Sequence, residues 1–218
     1  HNAKAIKGVI DTPPRVQIVV GDGLSSAAIA ANAVTNTLAN IQYMTGSAFS
    51  NAMVTVVGRC IGAQERKQAK RYSRLMVGLG YLSLAVVALI TMIFAKPLIS
   101  VYALSAESSA LAHRLILYHS VFAMLMWPIA FILPNAFRAT SDVHFPLVIS
   151  MFSMWAFRVA LSYLFALESV SVFGLFTLPG LGVGVTGVWF AMFVDWGFRT
   201  LLFLWRYLSG KWMHAKTV

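Results

Sequence analysis

Three ionisable side chains interrupt apolar runs that otherwise carry no charge. Asp195 and Arg199 stand within Val185–Trp205, and Arg158 stands within Phe145–Leu167. A carboxylate surrounded by nonpolar side chains is a natural proton or cation site, and a guanidinium in the same setting needs an acceptor. Arg199 lies four residues after Asp195, the spacing that brings two side chains together on one helical face. If the two runs are antiparallel neighbours, Arg158 and Asp195 share a depth. The expectation is a network in which Asp195 accepts from one or both arginines. Its role is either a polar staple between helices or ion coupling and gating.

A second constellation is uncharged. Asn32, Asn36 and Asn40 recur every four residues, and Tyr43, Ser47 and Asn51 continue their drift around the same helix. Such a stripe either bonds a neighbouring helix or lines a wet cavity. Farther on, Met124, Met126, Trp127 and Phe131 gather around Pro128, with Pro134 following. Each proline removes a backbone donor and tends to kink a helix. Soft and aromatic side chains beside a kink suit an adaptable surface for varied apolar ligands, and they serve ordinary packing equally well. The candidate cavity residues are Asn32, Asn36, Asn40, Tyr43, Met124 and Trp127.

Nothing in the chain reads as a catalytic or metal site, and no enzyme is expected. His113 and His119 are six residues apart, out of register for one helical metal site, and Gly-x-Ser-x-Gly and His-Glu-x-x-His are absent. The single cysteine, Cys60, allows no intrachain disulfide. Gly174, Gly180, Gly182, Gly184 and Gly187 punctuate one loop, but no Gly-Lys-Ser/Thr follows, so it reads as a flexible connection rather than a phosphate cradle.

The elements that must position these residues are set by composition. Apolar residues make up 59% of the 218 positions and charged residues only 11%, against about 25% charged in a typical soluble domain. Such a chain cannot build a polar skin. Gly23–Gly58, Leu75–Ala95 and Leu115–Phe137 contain no charge. With Phe145–Leu167 and Val185–Trp205 they make five runs, each long enough to cross a hydrocarbon core of about 30 Å as a helix. The runs are continuous rather than alternating, which favours helices over a barrel. The fold class is therefore an all-α polytopic transmembrane bundle, embedded in a lipid bilayer. Its spans are expected at about 27–58, 72–95, 111–137, 145–167 and 185–206.

The net charge of +10 is not a nucleic-acid signal. Arg59, Arg66, Lys67, Lys70, Arg71 and Arg74 bracket the first loop, Arg138 the third, and Arg206, Lys211 and Lys216 the tail. The opposite side holds Lys96 and Arg114. The positive-inside rule puts the richer side, with the C-terminus, in the cytoplasm. Lys4, Lys7 and Arg15 break this pattern. Either they form an extracellular tail, or a further span preceding the first is truncated or replaced, with Val16–Gly23 as its remnant. The chain opens on His1 rather than Met, so an incomplete product is expected. The expected units are 1–22, an atypical segment; 23–212, the helical lobe; and 213–218, a cytoplasmic tail.

The residues resemble a known family over roughly 16–212. Gly23–Ala33 followed by Val57-Gly58-Arg59-Cys60-Ile61-Gly62-Ala63 is similar to the long helix and Val-Gly-Gln-x-x-Gly-Ala turn of the multidrug and toxic compound extrusion (MATE) transporters. Pro134 through Arg138-Ala139-Thr140-Ser141-Asp142 resembles their Pro…Leu-Arg-Gly-x-Gly-Asp segment. Trp155-Ala156-Phe157-Arg158, Gly187-Val188-Trp189…Asp195-Trp196-x-x-Arg199, Arg206 and Gly210-Lys211-Trp212 look like their last two helices and tail. Arg59 stands where Gln is usual, and Ala139 and Ser141 where Gly is usual.

The resemblance implies the C-terminal lobe of a two-lobed transporter, six helices per lobe, of which five are visible here. It implies a central cleft, small organic and often cationic substrates exported across the cell (inner) membrane, and sodium or protons as coupling ion with no other cofactor. The missing first helix and the missing N-terminal half imply that this chain is inactive alone. Two alternatives stand beside this reading: a lipid-linked sugar flippase of related fold, and a non-transporting truncated membrane subunit.

Overall fold

A computed structural model describes residues 25–172 and 176–214. The segment 1–22 and its remnant helix lie outside the described residues. Among the described residues, eight α-helices, two π segments and a small hairpin follow one another. Helix α1 is Ser26–Gly62 and α2 is Arg66–Ile93; the short α3 is Ala95–Ser100. Helix α4, Ala106–Trp127, runs through a π segment, Pro128–Ile132, into α5, Pro134–Ala139. Helix α6, His144–Ser153, likewise runs through a π segment, Met154–Val159, into α7, Ala160–Ala166. Strands β1 (Ser169–Val172) and β2 (Phe176–Pro179) precede α8, Val185–Leu208. A turn of 3₁₀ helix, Lys211–His214, follows it.

The chain is thus an all-α bundle, with each expected span present as a helix. Four are long and apolar enough to cross a membrane: Arg66–Ile93, Ala106–Ala139, His144–Ala166 and Val185–Leu208. Helix α1 has 37 residues, about 55 Å of rise, and is the more polar exception. Serine caps start two helices. Ser25 accepts from the Ala28 N–H at 3.2 Å and Ser105 from the Ser108 N–H at 3.2 Å, satisfying donors that the first turn leaves unpaired.

Helix α1 is central, packing on α2, α4 and α5. Glycine permits the closest approaches: a Cβ at Gly46 would overlap the Trp127 indole, and one at Gly80 would overlap Ile132. The π segment after α4 sits at the middle of this packing. Proline cannot continue the regular ladder, so Leu133 N–H bonds back five residues to Pro128 O at 3.1 Å. Nearby carbonyls take side-chain donors from three other helices: Ser50 of α1 reaches Phe131 O at 3.4 Å, Tyr81 of α2 reaches Leu125 O at 3.0 Å, and Thr200 of α8 reaches Met126 O at 3.2 Å. Asn135 adds bonds to Phe131 O and Ile132 O at 2.8 and 3.2 Å. Irregular backbone at membrane depth is tolerated where protein satisfies it, and here it is satisfied from all sides.

The glycine-rich loop differs from the flexible connection expected of it. Strands β1 and β2 pair antiparallel, Ser169 opposite Pro179. Beyond them the chain folds back under the end of α7. The N–H groups of Gly180, Leu181, Gly182, Val183 and Gly184 donate to the carbonyls of Glu168, Leu164, Leu167, Phe165 and Ala166, at 2.8–3.1 Å. Those of Leu164, Phe165 and Ala166 are carbonyls that a helix C-terminus leaves unpaired. The glycines are required by geometry. A Cβ at Gly180 would collide with Leu167 O, and Gly184 adopts φ 59°, ψ −141°, a region that side chains do not enter.

Candidate functional site

Polar and aromatic side chains from α1, α4 and α8 converge inside the bundle. Gln42 and Tyr43 are adjacent on α1, His119 and Ser120 on α4. Gln42 Nε2 donates to Ser120 Oγ at 2.9 Å, and Tyr43 Oη lies 2.6 Å from His119 Nε2. The two bonds knit α1 to α4 side by side. Tyr43 stacks on Trp127 with centroids 5.5 Å apart, and Trp127 stacks on Phe131 at 5.3 Å. His119 meets Trp189 and Trp196 of α8 edge-on at 5.5 and 5.7 Å. Gln42 Oε1, His119 Nδ1 and Trp196 Nε1 are buried without a hydrogen-bond partner among the described residues. The centre of the lobe therefore holds both donors and acceptors in an aromatic shell. No group of three His, Cys, Asp or Glu side chains that could hold a metal ion occurs among the described residues.

The α1 asparagines divide into two kinds. Asn32 is half-buried and its Oδ1 accepts from the Trp189 indole N–H at 3.0 Å, tying α1 to α8. Asn36 bonds only Asn32, within its own helix, and is exposed. Asn40, Ser47 and Asn51 are exposed on the same stripe, with Tyr43 half-buried behind them. Trp127 is buried in the aromatic cluster and Met124 is half-buried.

Asp195 accepts from one of the two arginines, Arg199. Arg199 Nε bonds Asp195 Oδ1 at 2.8 Å and Ser153 Oγ at 2.8 Å, and its Nη2 reaches Ser150 O at 3.2 Å. Asp195 is fully buried, and its Oδ2 has no partner among the described residues. Arg158 does not join. It is exposed, and its Nη2 contacts Met192 Sδ at 3.5 Å. The common depth of two antiparallel helices does not ensure a common face. Arg158 lies on the π segment and reaches Met192 of α8, while Ser153 and Ser150, one and two turns earlier, bond Arg199. Those serines, like Gln42, His119, Trp189 and Trp196, were not singled out from the sequence as partners. The available signal was generic: a polar side chain in an uncharged run must find a partner.

A second ion pair closes the end of the bundle that holds the basic loops. Arg206 grips Asp142 with two bonds, Nε to Oδ2 at 2.9 Å and Nη2 to Oδ1 at 3.1 Å, and lies over the Phe145 ring at 4.8 Å. Beside it, Ser73 and Tyr207 hydroxyls are 2.8 Å apart, and the Trp212 indole donates to Tyr207 O at 3.2 Å. These contacts join α2, the α5–α6 turn, α8 and the chain beyond.

Long apolar helices, irregular backbone satisfied at depth and buried polar clusters together define a multi-pass membrane protein. The particular family follows from comparison: the chain belongs to the MatE family, whose model matches residues 16–164. The uncharacterized transporter YisQ of Bacillus subtilis (strain 168) is 30% identical over 174 residues, 77% of this chain and 34% of that protein. The probable multidrug resistance protein YoeA of the same organism is 28% identical over 138 residues, 63% of this chain and 30% of that one. The probable multidrug resistance protein NorM of Thermotoga maritima is 25% identical over 173 residues, 79% of this chain and 34% of NorM. The matched part spans about a third of the length of these curated relatives.

Proposed function

We propose that this chain forms one lobe of a secondary active antiporter that exports small organic, often cationic, compounds in exchange for sodium or protons. The other lobe, an N-terminal half of the same transporter, supplies the second wall of the cleft, and this lobe is inactive without it. The observation that carries the reading is the exposed stripe Asn36, Asn40, Ser47 and Asn51 on α1. Uncharged polar side chains facing lipid at membrane depth are costly, and within this lobe Asn36 bonds no other helix. A wet cleft is the environment that suits it. Tyr43 and Trp127 behind the stripe give a π surface, and aromatic faces attract organic cations.

Asp195 serves in this reading as a staple rather than as the coupling site. It is fully buried and engaged by Arg199, which in turn holds α6.

The test is export of a fluorescent organic cation from cells making the full transporter. Asn36→Leu and Asn40→Leu should lower export while protein level stays near normal. Unchanged export in both would remove the stripe from the substrate path. Imposed sodium and proton gradients in proteoliposomes identify the ion, and export indifferent to both would reject antiport.

A further inference from the structure

The sparse basic residues on the other side of the bundle are themselves brought together. Lys96 of α3 and Arg114 of α4 border one cleft of about 570 Å³, with His113 and Ser109 between them and Ile99 and Ala110 as its apolar lining. Both cations are exposed, and neither has an ion pair among the described residues. Glu107, the acid closest in sequence, is not part of the lining. Two cations, an imidazole and a hydroxyl supply donors with no acid to oppose an anion.

What lies below the cleft says which anion. Arg114, Tyr118, Val121 and Leu125 are all exposed, at spacings of three and four that place them on one face of α4. From Arg114 to Leu125 the helix rises about 16 Å, the depth of one leaflet of a hydrocarbon core about 30 Å thick. Tyr118 and Leu125 are 42% and 60% exposed. Ile93, Phe94 and Val101, which flank α3 in sequence, are exposed as well. A charged mouth at the head of an apolar strip one leaflet deep matches an amphiphile, not a free ion.

We propose that the Lys96–His113–Arg114 cleft binds the phosphodiester headgroup of an anionic phospholipid, whose acyl chains lie along Tyr118, Val121 and Leu125. Lys96 acts as a mobile point charge, and Arg114 offers its fork to two phosphate oxygens. The basic loops place this cleft in the outer leaflet of the cytoplasmic membrane. The site itself needs only that the helices span, so it stands apart from the substrate-path reading.

The experiment is amine-reactive footprinting of Lys96 in the intact transporter. It uses nanodiscs of phosphatidylcholine alone, of phosphatidylcholine with phosphatidylglycerol, and of phosphatidylcholine with inorganic phosphate in the buffer. Phosphatidylglycerol should slow labelling of Lys96, and Arg114→Gln in the same nanodiscs, at the same surface charge, separates a built site from the general effect of an anionic surface. Arg114→Gln should weaken that protection roughly fivefold, the worth of one basic side chain near anionic lipid, and Arg114→Lys should keep most of it. Equal labelling with and without phosphatidylglycerol overturns the proposal. So does protection by inorganic phosphate alone, which marks a free-anion site. Lys96 that is unreactive in all three preparations would show the cleft covered by protein and equally reject a lipid.

Discussion

Trp189 donates its indole N–H to the Oδ1 of Asn32 across 3.0 Å, binding α8 to α1. Asn36, one turn further along, makes no such bond. Two residues of the same type and pattern thus have different structural duties. Asn32→Leu should reduce folded protein, since it strands a buried indole donor at a cost of about 1–3 kcal/mol. Asn36→Leu should leave yield intact and alter export. Equal effects of the two on yield, read by fluorescence-detected size exclusion, would contradict this division.

Asp195→Asn should lower folded yield, because it leaves Arg199 buried against a neutral partner; breaking such a pair costs about 3–5 kcal/mol. Adding Arg199→Gln should restore part of the loss. Adding Arg158→Gln should restore none, since Arg158 contacts Met192 instead. Rescue by Arg158→Gln, measured as thermal stability in detergent, is the result that would join the two arginines.

Gly46→Ala should destabilise the lobe by about 1–3 kcal/mol, the usual penalty for forcing a methyl into a packed site. The added carbon meets the Trp127 ring, which is wedged between Tyr43 and Phe131. Combining it with Trp127→Leu should recover stability, and a Gly46→Ala variant as stable as the parent would show that the indole can move aside.

Arg206→Gln should loosen the end near the basic loops. A bidentate pair to a nearly buried carboxylate is lost and Asp142 is left alone. Proteolysis after Arg138 or Lys211 should accelerate, while hydrogen exchange in the β1–β2 hairpin stays as it was. Uniform protection across the variant would place the clamp's influence elsewhere.

Topology has its own check. In a Cys60→Ser background, cysteines placed at Lys67 and Lys211 should resist a membrane-impermeant maleimide in intact cells, and one at Ser171 should react. Labelling at position 67 from outside would invert the orientation.

Run length and charge placement were enough to locate the helices, because crossing a membrane demands about 20 apolar residues whatever packs around them. Their ends moved where local chemistry intervened: Ser105 starts α4 at Ala106 rather than near 111. The Asp195–Arg199 bond was readable because i, i+4 spacing fixes geometry on one helix. Which of the two arginines would reach Asp195 was not readable, because facing between helices depends on rotation about each axis, which composition does not record. The hairpin was missed for a related reason. Glycine reads as freedom in a sequence, yet Gly180 and Gly184 are used for close approach and for a backbone region closed to other residues.

The span His144–Ala166 buries only Pro146 and Ser153. It is held at both extremities, by the glycine segment beneath α7 at one and Asp142 and Arg206 at the other, and between them by the Arg199 bonds to Ser150 and Ser153. Substitution should therefore be cheap at its exposed positions and expensive at its ends and at Ser153. Among descendants of one ancestral gene, its outward positions can drift among Leu, Val, Met and Phe as membranes of different composition require, while the loop glycines and the terminal acid–base pair stay fixed. The part of this span that a lineage can rewrite is its lipid-facing surface.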